Sequence, residues 1–219
     1  MRASLVLISS LAALCAATLT GCGDNASAQN TTFTLSSPDL ASGTFPQKFI
    51  SNGFDCTGGN VSPEIQWFFP PAGTQSFSLQ ILDLDAPTGS GFWHWAVYNI
   101  PATATGLPQG AGNSAAALPA PAHGGNTDFF DTGFTGSNGS LPGSNGTPGA
   151  NGNYGGPCPP VGDPPHRYVF TLYALSVPDL EAAAGIPRTG TAGLHSFALN
   201  KGIGAALLGK ASFTATFAR

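Results

Sequence analysis

Two apolar stretches decide the fold of this chain: Trp93-His-Trp-Ala-Val-Tyr-Asn-Ile100 and Arg167-Tyr-Val-Phe-Thr-Leu-Tyr-Ala-Leu175. Both are rich in aromatic and β-branched residues, and their nearly continuous apolar character is typical of strands that are covered on both faces. A third stretch, Phe77-Ser-Leu-Gln-Ile81, alternates apolar and polar residues and predicts a strand with one buried face. Residues 212–217 alternate in the same way and predict a closing strand. The pattern therefore predicts a mainly β domain.

The composition supports a loop-rich β protein. The 219 residues include 30 Gly and 19 Pro, and only 8% are charged, against about 25% in an average protein. So few cations leave no basic face for duplex nucleic acid, and an apolar content of 42% argues against disorder. Helix signals are few and short, at 179–184, 194–201 and 204–208.

The N-terminus predicts export. Arg2 precedes an uncharged apolar run, residues 5–19, which is too short for a membrane span but suits a secretion signal. The run ends in Leu19-Thr-Gly-Cys22, which resembles the bacterial lipobox. We therefore expect residues 1–21 to be a lipoprotein signal, Cys22 to carry lipid in the bacterial cell envelope, and residues 22–32 to form a tether. The alternative is an ordinary signal peptide that is cleaved near residues 26–28.

Two of the four cysteines remain for the folded domain. Cys15 lies in the signal and Cys22 in the lipobox, which leaves Cys56 and Cys158. In an exported chain this pair predicts a disulfide. A two-cysteine metal site is the weaker alternative, because neither cysteine has a second cysteine or a histidine at close ligand spacing.

Carboxylates, imidazoles and prolines are concentrated where the predicted strands begin or end. Asp83 and Asp85 follow the first strand, His94 opens the next, and His166 precedes a third. Side chains at such boundaries can converge on the rim of a pocket. Each also has a simpler explanation, since the aspartates suit a turn and the histidines suit a packed core or an exposed surface.

Taken together, these motifs resemble the phosphatidylethanolamine-binding proteins (PEBPs), specifically the bacterial branch described as Raf kinase inhibitor-like proteins. The resemblance runs from about Phe33 to Arg219. It is carried by long ordered segments, at 56–63, 83–91, 92–101, 156–160, 166–170 and 208–212. It implies one PEBP-like domain over 33–219, a β-sandwich with a central antiparallel sheet and a few short peripheral helices.

The resemblance also implies a small pocket that binds phosphate-bearing groups such as phosphorylethanolamine. The residues that match the family pocket are Asp83, Asp85, Pro87, His94, Pro159, Pro160, His166 and Tyr168. Two departures are visible: a Gly/Asn/Ser-rich insertion at 136–153, directly before the Gly-Pro-Cys loop, and Leu84 where many relatives have proline.

We therefore expect a non-catalytic binding module without cofactor or metal, whose partners are a small phosphate-bearing anion or headgroup and, through the N-terminal lipid, a membrane. The alternative is an interaction protein that regulates a kinase or a protease, with no target visible in the sequence. An Asp/His hydrolase is less favoured, because no nucleophile motif is present. If phosphate binding protonates His94 and His166, affinity should rise as the pH falls through about 6.5.

Overall fold

The computed structural model describes residues 32–129 and 154–219. The predicted signal, the lipobox cysteine, nearly all of the tether and the 136–153 insertion lie outside these residues.

Eight strands lie in the described residues. In chain order they are β1 (Thr34–Ser36), β2 (Ile65–Phe68), β3 (Ser76–Asp83), β4 (Phe92–Pro101), β5 (Gly106–Leu107), β6 (His123–Gly124), β7 (His166–Leu175) and β8 (Leu207–Phe217). They form a five-stranded sheet in the order β6-β4-β3-β7-β8 and a three-stranded sheet in the order β1-β2-β5. Every pairing within the two sheets is antiparallel, so the predicted central antiparallel sheet is confirmed.

Helices are short and peripheral, as predicted. The α-helices are α1 (Leu180–Ala184) and α2 (Ala192–Phe197), and a π-helical turn, Ala198–Gly202, continues α2. Single 3-10 turns span Pro38–Leu40, Ala111–Asn113, Ala115–Ala117 and Gly204–Ala206. The helix predicted at 204–208 is wrong at its end, because Leu207 already pairs with Leu175 as the first residue of β8.

The central strands β3 and β4 of the large sheet are buried on both faces. One face packs against the small sheet through a core that includes Trp67, Phe77, Trp95 and Phe170. The other is covered by the helical segments through a second cluster that includes Tyr98, Leu175, Leu180 and Leu199. This arrangement explains why the β4 and β7 sequences are apolar almost throughout.

The prediction that β3 has one buried face is wrong. Its polar residues Ser78 and Gln80 are as buried as its apolar ones. The Gln80 Nε2 group donates to the Tyr98 hydroxyl at 3.1 Å and to the carbonyl oxygen of Ala192, at the start of α2, at 3.1 Å. The polar positions of β3 therefore lie under the helical layer instead of facing solvent.

A disulfide joins Cys56 and Cys158 across a separation of 102 residues. Hydrogen bonds between the same two loops accompany it: the Gly156 N–H donates to Asn60 Oδ1 at 2.7 Å, and the Ser51 N–H donates to the Pro157 oxygen at 3.0 Å. The loops are therefore held together at one end of the sandwich. Among the described residues there is no helix long and apolar enough to cross a membrane.

Candidate functional site

The site lies at one end of the large sheet, where three strands begin or end. Asp83 is the last residue of β3, and it is paired in register with Phe92 at the start of β4 and with Tyr168 near the start of β7. Antiparallel pairing thus brings residues that are far apart in sequence to the same end of the sheet. The disulfide-linked loops lie beside this end.

These residues enclose a cavity of about 160 Å³. Seven of the eight predicted ligand-binding residues line it: Asp83, Pro87, His94, Pro159, Pro160, His166 and Tyr168. The remaining lining residues are Phe54, Ala86, Thr88, Phe92, Phe129, Gly156 and Cys158. The cavity is therefore mostly apolar, with a few polar groups, which is typical of small-ligand sites.

Asp85 does not line the cavity, in contrast to the prediction. Its carboxylate accepts from Arg167 Nη2 at 2.7 Å, from Arg167 Nε at 2.9 Å and from the Arg167 backbone N–H at 2.8 Å. The hydrogen bonds and charge of Arg167 hold the pKa of Asp85 at about 2. Although Asp83 and Asp85 are only two residues apart, the Asp85 carboxylate binds Arg167 outside the cavity.

Asp83 and His166 form the charged pair of the site. His166 Nδ1 lies 2.7 Å from Asp83 Oδ2, and its Nε2 lies 3.3 Å from Asp163 Oδ2. The Asp85 backbone N–H donates to Asp83 Oδ1 at 2.9 Å. Burial lowers the pKa of His166, but the hydrogen bonds and charges of Asp83 and Asp163 outweigh burial and raise it. The geometry favours an imidazolium between two carboxylates.

The surroundings of His94 lower its pKa, whereas those of His166 raise it. The Nδ1 atom of His94 lies 2.9 Å from the Gly155 carbonyl oxygen, so Nδ1 carries the proton and Nε2 is left as an acceptor. The Nε2 atom is 3.9 Å from Asp83 Oδ2. Burial lowers the pKa of His94 to about 4, against the weaker opposing effects of the Gly155 hydrogen bond and the Asp83 charge. The expectation that both histidines titrate near 6.5 is therefore replaced by one depressed and one raised pKa.

The Tyr168 hydroxyl completes the polar part of the cavity. It is buried and makes no hydrogen bond of ordinary length among the described residues, and Asp83 is the carboxylate that interacts with it. Burial, and then the charge and hydrogen bonding of Asp83, raise the pKa of this phenol, so it is a neutral donor at physiological pH. Because a buried hydroxyl without a good hydrogen bond costs free energy, its presence at the cavity favours a ligand that accepts a hydrogen bond.

Aromatic rings surround His94. The ring centroids of Phe92, Phe129 and Tyr168 lie 5.2, 5.3 and 5.1 Å from that of its imidazole. Sequence reasoning missed Phe54, Phe92 and Phe129 as lining residues. Proximity to His94 in β4 could have indicated Phe92, and proximity to Cys56 could have indicated Phe54, whereas no pattern marks Phe129.

The described residues contain no group of three or more His, Cys, Asp or Glu side chains placed to hold a metal ion. What the arrangement can do is donate and accept hydrogen bonds around a small polar group within an apolar wall.

Comparisons with known proteins agree with this architecture. The family model for phosphatidylethanolamine-binding proteins matches residues 28–218. The UPF0098 protein YbcL of Escherichia coli strain K12 is 42% identical over 151 residues, which cover 68% of this chain and 72% of YbcL. YbhB of the same strain is 39% identical over 152 residues, which cover 69% of this chain and 83% of YbhB. A candidate lipoprotein of Mycobacterium tuberculosis, LppC, is 37% identical over 145 residues, covering 66% of this chain and 56% of LppC.

The fold has solved counterparts as well. The crystal structure of E. coli YbcL, described as a member of the mammalian PEBP family, superposes with a TM-score of 0.66 and 34% identity, covering 85% of this chain and 98% of that one. These matches, with the two-sheet fold and the strand-end pocket, define the class, and the chain belongs to the phosphatidylethanolamine-binding protein family.

Proposed function

We propose that this chain binds a small phosphate-bearing ligand, such as a phosphorylethanolamine headgroup, as a non-catalytic module that the lipid on Cys22 holds at a membrane. The observation that carries the proposal is the convergence of His94, His166 and Tyr168 on one cavity of about 160 Å³. Two donors, the His166 imidazolium and the Tyr168 hydroxyl, lie with the unprotonated His94 Nε2 and Asp83 in an otherwise apolar space, which suits a compact phosphate group.

Each of the three side chains has a distinct part in this proposal. The His166 imidazolium supplies a charge-assisted hydrogen bond from Nε2, which otherwise meets Asp163 at the long distance of 3.3 Å. Tyr168 supplies a neutral hydroxyl. Since His94 Nε2 is unprotonated in the free site, it pairs with a phosphate only when one proton is shared between them.

The same cavity suits an ammonium group. Asp83 supplies a negative charge in the same cavity as the histidines, and Phe54, Phe92 and Phe129 supply aromatic rings, whose faces can attract a cation. A zwitterionic headgroup would therefore use both the polar and the aromatic parts of the wall.

Two potential nucleophiles in the lining, Cys158 and Thr88, are engaged in other bonds. Cys158 is tied up in the disulfide, and the Thr88 hydroxyl donates to the Gly91 carbonyl oxygen at 2.5 Å. An activated nucleophile needs a neighbouring base within hydrogen-bond reach, and neither side chain has one among its described contacts.

Titration calorimetry of the full chain, in a maltoside detergent that contains no phosphate, tests the proposal. Phosphorylethanolamine and inorganic phosphate are each titrated into the wild type and into the variants His94→Ala, His166→Ala and Asp85→Asn. Losing a charge-assisted hydrogen bond costs about 1.5–3 kcal/mol, so each histidine variant should bind roughly ten- to a hundredfold more weakly. Asp85→Asn is the matched control, because Asp85 lies two residues from Asp83 but outside the cavity, and its affinity should stay within about twofold.

The pH dependence provides a second criterion. Above about pH 6 a free phosphomonoester is a dianion and His94 is neutral, so the complex takes up one proton. The dissociation constant should then rise by up to about tenfold per pH unit between 6.5 and 8. Wild-type protein that binds neither ligand, or histidine variants that bind as tightly as wild type, would refute the proposal.

A further inference from the structure

The end of the sandwich opposite the pocket carries an exposed aromatic pair, Phe68 and Phe69. Their side chains are 50% and 51% exposed, and their ring centroids are 6.5 Å apart. Phe69 also has a φ of 54°, in the left-handed region that bulky side chains rarely adopt. A strained backbone that leaves an aromatic ring half in water indicates a functional role for the position.

The pair Phe68 and Phe69, here called the aromatic tip, lies within long uncharged segments of the sequence. The segments 65–82 and 95–122 contain no Asp, Glu, Lys or Arg. A shallow groove of about 700 Å³ beside the tip is lined by residues of these two segments, and Glu64 is the one charged side chain among its described lining residues. Charged groups are what makes insertion at a bilayer costly, so this surface is compatible with a lipid interface.

The chain enters the domain next to the aromatic tip. Thr34 in β1 is paired in register with Phe68 in β2. The proposed lipid on Cys22 precedes Thr32 by ten residues, so it can lie at most about 35 Å from Thr32 along the chain. A lipid at that position would hold this end of the domain close to the bilayer.

The pocket lies at the far end of β3, the strand that follows the aromatic tip in the chain. The tip leads through the turn after β2 into Ser76, the first residue of β3, and Asp83 of the pocket is the last of its 8 residues. At about 3.3 Å per residue, the two ends are about 23 Å apart.

We propose that the aromatic tip docks on the bilayer to which the Cys22 lipid is attached, so that the pocket faces away from that bilayer. The proposal rests on the lipid anchoring proposed above. The occupant is a lipid surface, because the tip combines apolar rings, a surround in which Glu64 is the one charged lining residue described, and a position beside the end of the chain that carries the proposed lipid. The ligand then enters from the aqueous side or from a facing surface, and not from the leaflet that carries the protein.

Fluorescence quenching by brominated lipids tests this orientation. The lipidated full chain carrying Phe69→Trp is reconstituted into phosphatidylcholine vesicles with brominated acyl chains, and the vesicles are collected by flotation. Wild-type emission is subtracted to remove the 3 native tryptophans. The matched control is Val161→Trp, since Val161 is 77% exposed and follows Pro160 of the pocket. Unchanged phosphorylethanolamine affinity shows that each variant is folded.

We expect the added emission at position 69 to fall at least twofold relative to unbrominated vesicles, and that at position 161 to stay unchanged. Equal emission at position 69 in both kinds of vesicle, or stronger quenching at 161 than at 69, would overturn the proposal. Protection of position 69 from acrylamide without quenching by bromine would also overturn it and would indicate a contact between protein copies. Absence of the protein from the floated vesicles would overturn it at the anchoring step, while the calorimetry in detergent would still report on ligand binding.

Discussion

The buried neutral imidazole of His94 gives a quantitative prediction about stability. In the unfolded chain this histidine titrates near 6.5, whereas burial lowers its pKa in the folded protein to about 4. The folded state therefore binds fewer protons than the unfolded state between these two values. Its contribution to the free energy of unfolding is fully present above pH 6.5 and is lost as the pH falls towards 4.

The magnitude follows from the two pKa values. One unit corresponds to 1.36 kcal/mol, so a shift from 6.5 to about 4 is worth about 3 kcal/mol at its limit. By pH 5, about 2 kcal/mol of that should be lost relative to pH 7.5. Replacing His94 by Gln keeps a side-chain donor for the Gly155 oxygen but removes the titration, so it should remove this part of the pH dependence.

Urea unfolding of wild type and His94→Gln at pH 5 and pH 7.5, in the same detergent, measures the effect. The wild type should lose about 2 kcal/mol more than the variant over this interval. His166 makes an opposite contribution, because its raised pKa stabilises the folded state at low pH and ceases to do so as the pH rises through its folded value. It is present in both proteins, so the comparison removes that contribution apart from the electrostatic effect of His94 and His166 on each other. Parallel losses in the two proteins would show that His94 is not held neutral by burial.

Four further predictions concern the framework and the anchor. Gly156→Ala should destabilise the domain by about 1–3 kcal/mol in urea unfolding, because a Cβ there would lie 2.4 Å from a backbone oxygen. Gly193→Ala, within α2, would place a Cβ 3.8 Å from Thr191 Oγ1, an ordinary contact, and should be neutral or stabilise by up to about 1 kcal/mol. The double variant of Cys56 and Cys158 to serine should lose up to about 4–5 kcal/mol, and an unchanged urea midpoint would contradict this expectation. Cys22→Ser should abolish incorporation of labelled palmitate in a bacterial host, and undiminished labelling would show that Cys22 is not the acceptor.

The strands of the large sheet could be predicted because their side chains report burial directly. The runs that became β4 and β7 are apolar at nearly every position, and two covered faces are what such runs require. The alternation in β3 misled, because Gln80 is buried and its amide nitrogen donates to the Tyr98 hydroxyl and to the Ala192 carbonyl oxygen at the start of α2. A polar residue in a strand sequence indicates a solvent-facing position only when no residue distant in the sequence supplies its hydrogen bonds.

The candidate site, like the fold, could be predicted only in part. The family resemblance located seven lining residues, since a motif carries its own local geometry. It did not predict that Asp83 lines the cavity while Asp85 does not. That difference arises because Arg167 on β7 forms an ion pair with Asp85. Nor could it assign opposite pKa directions to His94 and His166. Those depend on which partner faces each imidazole, a backbone carbonyl in one case and two carboxylates in the other.

This difference between the histidines bears on which ligand the pocket prefers. A bare phosphate dianion would gain the His166 imidazolium but would also meet Asp83, whose Oδ2 lies 3.9 Å from His94 Nε2. Two like unit charges 4 Å apart would repel by about 4 kcal/mol at an effective dielectric constant near 20. An ammonium group on the ligand would offset that repulsion at Asp83 and would also meet the rings of Phe92 and Phe129. The charge pattern of the cavity thus favours a zwitterion over a simple anion, and in the calorimetric comparison phosphorylethanolamine should bind at least tenfold more tightly than inorganic phosphate.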